Sequence, residues 1–413
     1  MKISKLKIFY FLCIFFAISI VSYEIIFMKQ YINDISNSTE IFQESKILTQ
    51  LYDLVNDIFK IEQKNITEKY IALLWLQIYE ILTCLVISLI FISKKARKII
   101  FKKLNENNTT EIPFLTLKKS EISYFTLLVI LIFTSKIIKY LLFSCKIGFD
   151  AFDFRSQINN LIREIIFKSY AGLFFATFFL KFFKRKYIYI TIIAFGLFLH
   201  FSISFKEMGD PTIAGYERID PTTLDIQIKE AIAKCKLGND IFVKQTGSFF
   251  TNAFIAINFV TKRIILDGEI FKRKYFTQGI LSHELGHAMD GRNILFAKIT
   301  LEILRFVFIL FFVDCLVSKY FVDENVSRDC SSAVLFLFYL SYFHVCLKPM
   351  DNILSQIFEF RADSFAKSLS QHIPLANSLF IISFNKAPFI SSKLYSALLY
   401  THPTIYDRLK KFD

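Results

Sequence analysis

Apolar residues in this chain are gathered into long blocks and seldom alternate singly with polar ones. The first block covers about Ile8–Met28 and stands behind Lys2, Lys5 and Lys7. Further blocks fall near Ile71–Ser93, Tyr124–Phe143, Ser169–Phe183, Tyr187–Phe205, Ile303–Val317 and Ser331–Leu347. A bilayer core about 30 Å thick takes roughly 20 apolar residues in a helix, so the pattern predicts about seven transmembrane helices. The first block is expected to be a retained span and not a signal peptide. No small-residue cleavage site stands out, and the block continues as Tyr23-Glu24-Ile25-Ile26-Phe27. Glu80, Lys136, Arg305 and His344 interrupt the blocks, as in helices that face a bundle interior or water-filled space.

The stretch Lys206–Glu302 is polar and opens on turn signals, Gly209-Asp210-Pro211 and Asp220-Pro221. Thr222–Lys236 has helical periodicity. Ile241-Phe242-Val243 reads as a strand, and Ala253–Val260 with Arg263–Leu266 reads as a hairpin around Thr261-Lys262. A helix is expected from about Thr277, and the segment after Leu347 is helical and then polar. The expected fold is mostly α and polytopic, with a small β-sheet. Four segments follow: 1–205 with about five spans, 206–302, 303–347 with two further spans, and 348–413.

Composition narrows the class. Of 413 residues 54% are hydrophobic, too many for an ordinary soluble enzyme. The net charge of +14 does not indicate a nucleic-acid partner, because Lys and Arg flank the apolar blocks instead of forming one stripe. They suit anchoring at lipid headgroups, so the bilayer is the expected partner. The seven cysteines are scattered without a CxxC and read as small apolar residues.

The chemistry gathers on His283-Glu284-Leu285-Gly286-His287. His283 and His287 are four residues apart and share one face of a helix, so both imidazoles reach one metal ion. Glu284, one step round, is placed to take a proton from a zinc-bound water and pass it to a leaving amine. The plainer alternative is a surface helix carrying two histidines. A catalytic zinc takes a third protein ligand, and Glu359 in Glu359-Phe360-Arg361-Ala362-Asp363 is the best candidate. Asp363 lies one turn later on the same face, where it can hydrogen-bond a ligating imidazole. Alone, these two acids would read as an exposed helix face.

His402, in Thr401-His402-Pro403, is a candidate partner for the oxyanion of a tetrahedral intermediate. Arg408 is a candidate partner for an acid or a substrate carbonyl. The plainer readings are a turn residue and a surface charge. His200 and His344 fall in apolar blocks and read as structural; His372 reads as a loop residue. Asn252-Ala253-Phe254 opens a strand that could hold an extended peptide by main-chain pairing.

In combination these motifs resemble the integral-membrane zinc metalloproteases that act as CAAX prenyl endoproteases. The similarity runs from Asn252-Ala253-Phe254 through the two motif helices to His402-Pro403 and Arg408. It extends by hydropathy to Tyr23-Glu24 and to Lys146-Ile147-Gly148-Phe149. The resemblance implies one zinc per chain on His283, His287 and Glu359, with Glu284 as general base. It implies a gluzincin-like protease domain and a hollow, water-filled bundle of helices. The implied reaction removes the last three residues of a prenylated C-a-a-X protein or peptide. The implied place is the endoplasmic reticulum membrane, extending to the nuclear envelope, with catalytic domain and C-terminus facing the cytosol. Some members clear stalled translocation substrates, so a membrane quality-control protease is the alternative. A non-catalytic scaffold or transporter would have no use for Glu284.

The chain departs from the family pattern in several places. Arg361 stands where a neutral polar residue is expected. The Lys146 segment lacks the acid and histidine expected before Gly148, and Thr404 replaces a proline. The stretch between hairpin and HELGH is short. Basic residues after the second and fourth blocks, Lys94 to Lys103 and Lys184 to Lys186, would by the positive-inside rule place the zinc domain in the lumen. The family has the opposite arrangement. The expectation here follows the family, and Lys410-Lys411 resembles a cytosolic retrieval signal.

Overall fold

The computed structural model describes residues 5–37, 46–105, 119–147, 215–238, 240–244, 252–257, 262–316, 344–383 and 388–412, with a few isolated positions between them. Helices dominate. The N-terminal ones are α1 (Lys5–Asn37), α2 (Lys46–Ile92), α3 (Lys94–Asn105) and α4 (Lys119–Ile147). Three stretches within them are long and apolar enough to cross a membrane: Ile14–Asn33, Gln63–Phe91 and Ser120–Lys139. They coincide with the first three apolar blocks. The blocks at Ser169–Phe183 and Tyr187–Phe205 lie outside the described residues. So do most of Ser331–Leu347, His200, Gly148-Phe149 and Gly209-Asp210-Pro211.

The chain divides into two compact units. One comprises Met1–Ile25, Ile71–Ala194 and Ile303–Leu347; the other comprises Ile26–Tyr70, Phe195–Glu302 and Lys348–Asp413. In the first unit, Tyr124 packs its ring 4.9 Å from Phe91 and 4.8 Å from Phe101. Its hydroxyl donates to the Phe91 carbonyl at 3.2 Å. Glu80, one of the ionisable residues within the apolar blocks, pairs with Lys139 at 2.7 Å. A charge in a span costs far less when neutralised in this way.

The second unit is built on a four-stranded sheet of order β1-β2-β4-β3. The strands are β1 (Glu217–Arg218), β2 (Ile241–Lys244), β3 (Asn252–Ile257) and β4 (Lys262–Asp267). β3 and β4 form the expected antiparallel hairpin, with Asn252 opposite Asp267 and Ile257 opposite Lys262; Lys262, expected in the turn, is the first residue of β4. β2 runs parallel to β4, and the crossover between them leaves β3 at the sheet edge. The helix expected over Thr222–Lys236 is shorter. It forms a 3-10 turn at Pro221–Thr223 and then α5 (Ile226–Cys235), ended by Lys236 in the left-handed conformation.

After a 3-10 turn at Glu269–Lys272 comes α6 (Lys274–Leu316), 43 residues long. The block at Ile303–Val317 was expected as a separate helix; it instead continues the helix of the HELGH motif. No proline interrupts it, and the isolated glycine between the HELGH motif and Ile303, Gly291, is tolerated within a helix. Residues 277–286 are all buried, so this part of α6 is enclosed on every side and carries no one-sided apolar stripe. Leu281, Leu285 and Ala288 pack into the core beneath the sheet, on the face away from His283 and His287. Each such leucine contributes roughly 2 kcal/mol of burial. The remaining helices among the described residues are α7 (His344–Ser368), α8 (His372–Ser383), α9 (Lys393–Leu399) and α10 (Ile405–Leu409).

Candidate metal centre

Two glycines of α6 set how near its neighbours come. A Cβ built on Gly286 would lie 2.6 Å from Cα of Ala362, and one on Gly279 would lie 2.5 Å from the backbone of Pro374 and Leu375. Gly286 therefore lets α7 approach to backbone contact beside the histidines. That approach brings Glu359 across from them.

The ligand atoms of His283, His287 and Glu359 lie within 4.8 Å of one another. His287 Nε2 is 3.2 Å from Glu359 Oε1, and His283 Nε2 is 3.4 Å from Oε2. The imidazole rings stand nearly perpendicular, with centroids 4.7 Å apart. Glu359 Oε2 is buried and accepts no hydrogen bond among the described residues, although Arg408 Nη1 comes to 3.3 Å. Two imidazole nitrogens and an orphaned carboxylate oxygen converging on one point are a fitting donor set for a divalent cation.

Behind this set lies a second row of charges. Asp363 Oδ1 is 2.9 Å from His283 Nδ1, so that nitrogen carries the proton and Nε2 presents its lone pair to the site. Arg408 then takes Asp363 bidentately, Nη2 to Oδ1 at 2.6 Å and Nε to Oδ2 at 2.9 Å. With Nδ1 protonated, the 3.3 Å approach of Arg408 Nη2 to the same nitrogen is a contact and not a hydrogen bond. Arg408 is buried, and of its two expected partners the acid is the one present. Thr404 holds the helix that carries it: its hydroxyl accepts from the Asp407 amide at 3.1 Å as an N-cap. A proline there could not do this.

The electrostatics follow the geometry. Burial raises the Asp363 carboxyl, but Arg408 and His283 outweigh it and hold it at about 2. Burial and Arg408 press the His283 imidazolium down. The carboxylates of Asp363 and Glu359 prevail and hold its pKa at about 9. Glu359 is held well below its ordinary value, burial being outweighed by the histidines and Arg408. Glu284 is buried beside the donor set, and desolvation raises its carboxyl above the ordinary range against the pull of both histidines.

His402 is exposed, with Nε2 3.4 Å from Glu359 Oε1 and Nδ1 3.0 Å from the Thr401 hydroxyl. The segment leading to it is tied to α7 by two residues that sequence reasoning passed over. Asn352 donates to the Leu398 carbonyl at 2.6 Å, and Gln356 donates to the Ser396 and Tyr400 carbonyls, both at 2.7 Å. The one available signal was their spacing: Asn352, Gln356 and Glu359 fall on one face of α7. Tyr70 packs edge-on against Tyr395, and its hydroxyl meets that of Tyr400. Arg361 points away from the donor set and pairs with Asp290 of α6 at 2.7 Å. Asn252, Ala253 and Phe254 begin the edge strand β3.

Residues 222–413 match the model of peptidase family M48. This part of the chain is thus similar to a metallopeptidase family, and three helices among the described residues are long and apolar enough to cross a membrane. Its relatives include the human CAAX prenyl protease 1 homolog, 29% identical over 136 residues, covering 32% of this chain and 29% of that protein. The CAAX prenyl protease 1 homolog of Dictyostelium discoideum is 28% identical over 169 residues, 39% of each chain. The chain thus matches well under two thirds of the length of these curated relatives. In fold, it is similar over 98% of both chains to the crystal structure of S. mikatae Ste24p, with a TM-score of 0.64 and 19% identity.

Proposed function

We propose that the protein is a zinc metalloendopeptidase that removes the C-terminal tripeptide from prenylated C-a-a-X proteins at the endoplasmic reticulum membrane. The observation that carries this reading is the convergence of His283, His287 and the orphaned oxygen of Glu359 beside the buried Glu284. The names of the CAAX prenyl protease relatives support the substrate class. His283, His287 and Glu359 would hold one zinc ion. When bound, zinc supplies Lewis acidity to the scissile carbonyl and to the attacking water.

The chain's own residues do the rest. The edge strand β3, from Asn252 through Ala253 and Phe254, pairs with the extended substrate main chain and sets its register. Glu284 takes a proton from the attacking water as the C–O bond forms. It returns that proton to the departing amine as the C–N bond breaks. Desolvation raises the basicity of Glu284 for the first step and its acidity is restored by the proton it gains. His402, with an exposed ring at the rim of the donor set, donates to the oxyanion. Asp363 fixes the His283 tautomer, and Arg408 fixes Asp363.

About seven spans, with the catalytic unit and C-terminus toward the cytosol and some of the protein in the nuclear envelope, complete the proposal. The expected result with Glu284→Gln is retained zinc and no cleavage of a farnesylated C-a-a-X peptide. Equal cleavage by both proteins would discard the mechanism. Cleavage of unprenylated membrane proteins, with none of the farnesylated peptide, would establish the quality-control alternative. For orientation, a cysteine placed by Lys410→Cys in an otherwise cysteine-free chain is expected to label before the endoplasmic reticulum membrane is permeabilised. Labelling only afterwards would reverse the orientation.

A further inference from the structure

We infer that α3 is a docking surface for anionic lipid headgroups. The inference rests on reading Gln63–Phe91 and Ser120–Lys139 as membrane spans. One span ends at Phe91 and the next begins at Ser120, so the 12 residues of α3 follow directly on the exit of the chain from the bilayer. Ser93 makes the break: its hydroxyl accepts from the Ala96 amide at 3.4 Å and starts the new helix.

The rotation of α3 is set from below. Arg97 is 2% exposed and donates to the Phe91 carbonyl at 3.3 Å, while Phe101 is 1% exposed with its ring 4.8 Å from Tyr124. An amphipathic helix on a membrane surface normally spends its apolar face on lipid. Here that face is already spent on protein. What remains outward is Lys94, Lys95, Lys98, Lys102 and Lys103, all exposed, with Ile99 among them. Their spacing makes two neighbouring rows, 94-98-102 and 95-99-103, over half the helix circumference.

The helix contains no acidic residue. Among the described residues no carboxylate pairs with any of these lysines. Five ammonium groups on one face, at the boundary of two spans, match a layer of phosphates and carboxylates. Lysine stems can lie along Ile99 and the acyl boundary while their heads reach the headgroups. Five merely solvated lysines would show no lipid selectivity, which separates that plainer reading.

The test uses the full-length chain reconstituted in phosphatidylcholine bilayers with trace spin-labelled phosphatidylserine or spin-labelled phosphatidylcholine. The wild type is expected to prefer phosphatidylserine by about fivefold or more, on the basis of roughly fivefold per well-placed basic residue at low salt. The preference should fall toward unity between about 0.05 M and about 0.5 M salt. Replacing the five lysines by glutamine, K94Q/K95Q/K98Q/K102Q/K103Q, should abolish it, and replacing them by arginine should keep it. Glutamine matches lysine in helix propensity, so α3 should still form. No preference in the wild type, a preference indifferent to salt, or one that survives the glutamine substitutions overturns the inference. Should the glutamine protein fail to fold, the wild-type salt series decides alone.

Discussion

The guanidinium of Arg408 holds both carboxylate oxygens of Asp363, at 2.6 and 2.9 Å, and that carboxylate in turn holds Nδ1 of His283. The orientation of a metal-facing imidazole thus depends on a residue 125 positions away in the chain. A lysine at this place offers a point charge and cannot match the fork. Arg408→Lys is expected to lower zinc affinity by about 10- to 100-fold, measured by chelator competition. Arg408→Met leaves the buried Asp363 carboxylate without its guanidinium partner, and should cost about 3–5 kcal/mol in unfolding experiments. An Arg408→Lys protein with wild-type zinc affinity would show that the bidentate geometry is irrelevant.

Gly286 faces Ala362 at a distance that leaves no room for a side chain. Glycine to alanine inside a helix ordinarily stabilises by roughly 0.5–1 kcal/mol. At Gly286 the sign should reverse, with a loss of about 1–3 kcal/mol as α6 and α7 are forced apart. Thermal unfolding and zinc content should fall together, because the same displacement moves Glu359 from the histidines. A more stable Gly286→Ala protein would contradict the close approach.

The His283 pKa is raised from 6.5 to about 9, so a cation entering the site near neutral pH must displace that proton. Zinc binding at about pH 7 is expected to release roughly one proton, read by calorimetry in buffers of different ionisation enthalpy. Affinity should climb about tenfold per pH unit and level off near pH 9. Stability of zinc-stripped protein should move the other way. A raised folded pKa adds stability that is full below 6.5 and is lost as pH rises through about 9. Affinity that does not change with pH over this range would rule out proton competition at His283.

Gln356 donates to two carbonyls in the segment before His402. Gln356→Ala should lower kcat by about tenfold with little change in KM, because the residue acts by holding the segment that carries His402. Gln356→Glu should be worse than alanine, since it turns an acceptor toward two acceptors. Zinc content should be unchanged in both. Equal activities for the alanine and glutamate proteins would remove the clamp.

Much of the site could be read from local spacing. His283 and His287 share a face on any helix, and Glu359 and Asp363 do so on theirs, because the period of the α-helix depends on no distant contact. The hairpin was legible for a similar reason: two β-rich runs stand close together in the chain, although Lys262, expected in the turn, pairs with Ile257 as part of β4. β1 was not legible. Two residues, Glu217 and Arg218, show no alternation and form a strand only because β2 offers an edge.

The division between Ile303–Val317 and the HELGH helix shows the limit of hydropathy. A change from polar to apolar surroundings alters composition without ending a helix, and α6 runs through it. Local pattern thus established the residue types, the helix faces and the apolar blocks, each of which is a property of short segments. Partner choice belonged to packing. Arg408 takes Asp363 because α10 brings it there, Arg361 takes Asp290, and Gly286 admits Ala362. These are contacts between residues 45 or more positions apart. Chain spacing carries no information about such distances; buried charge and close-packed backbone do.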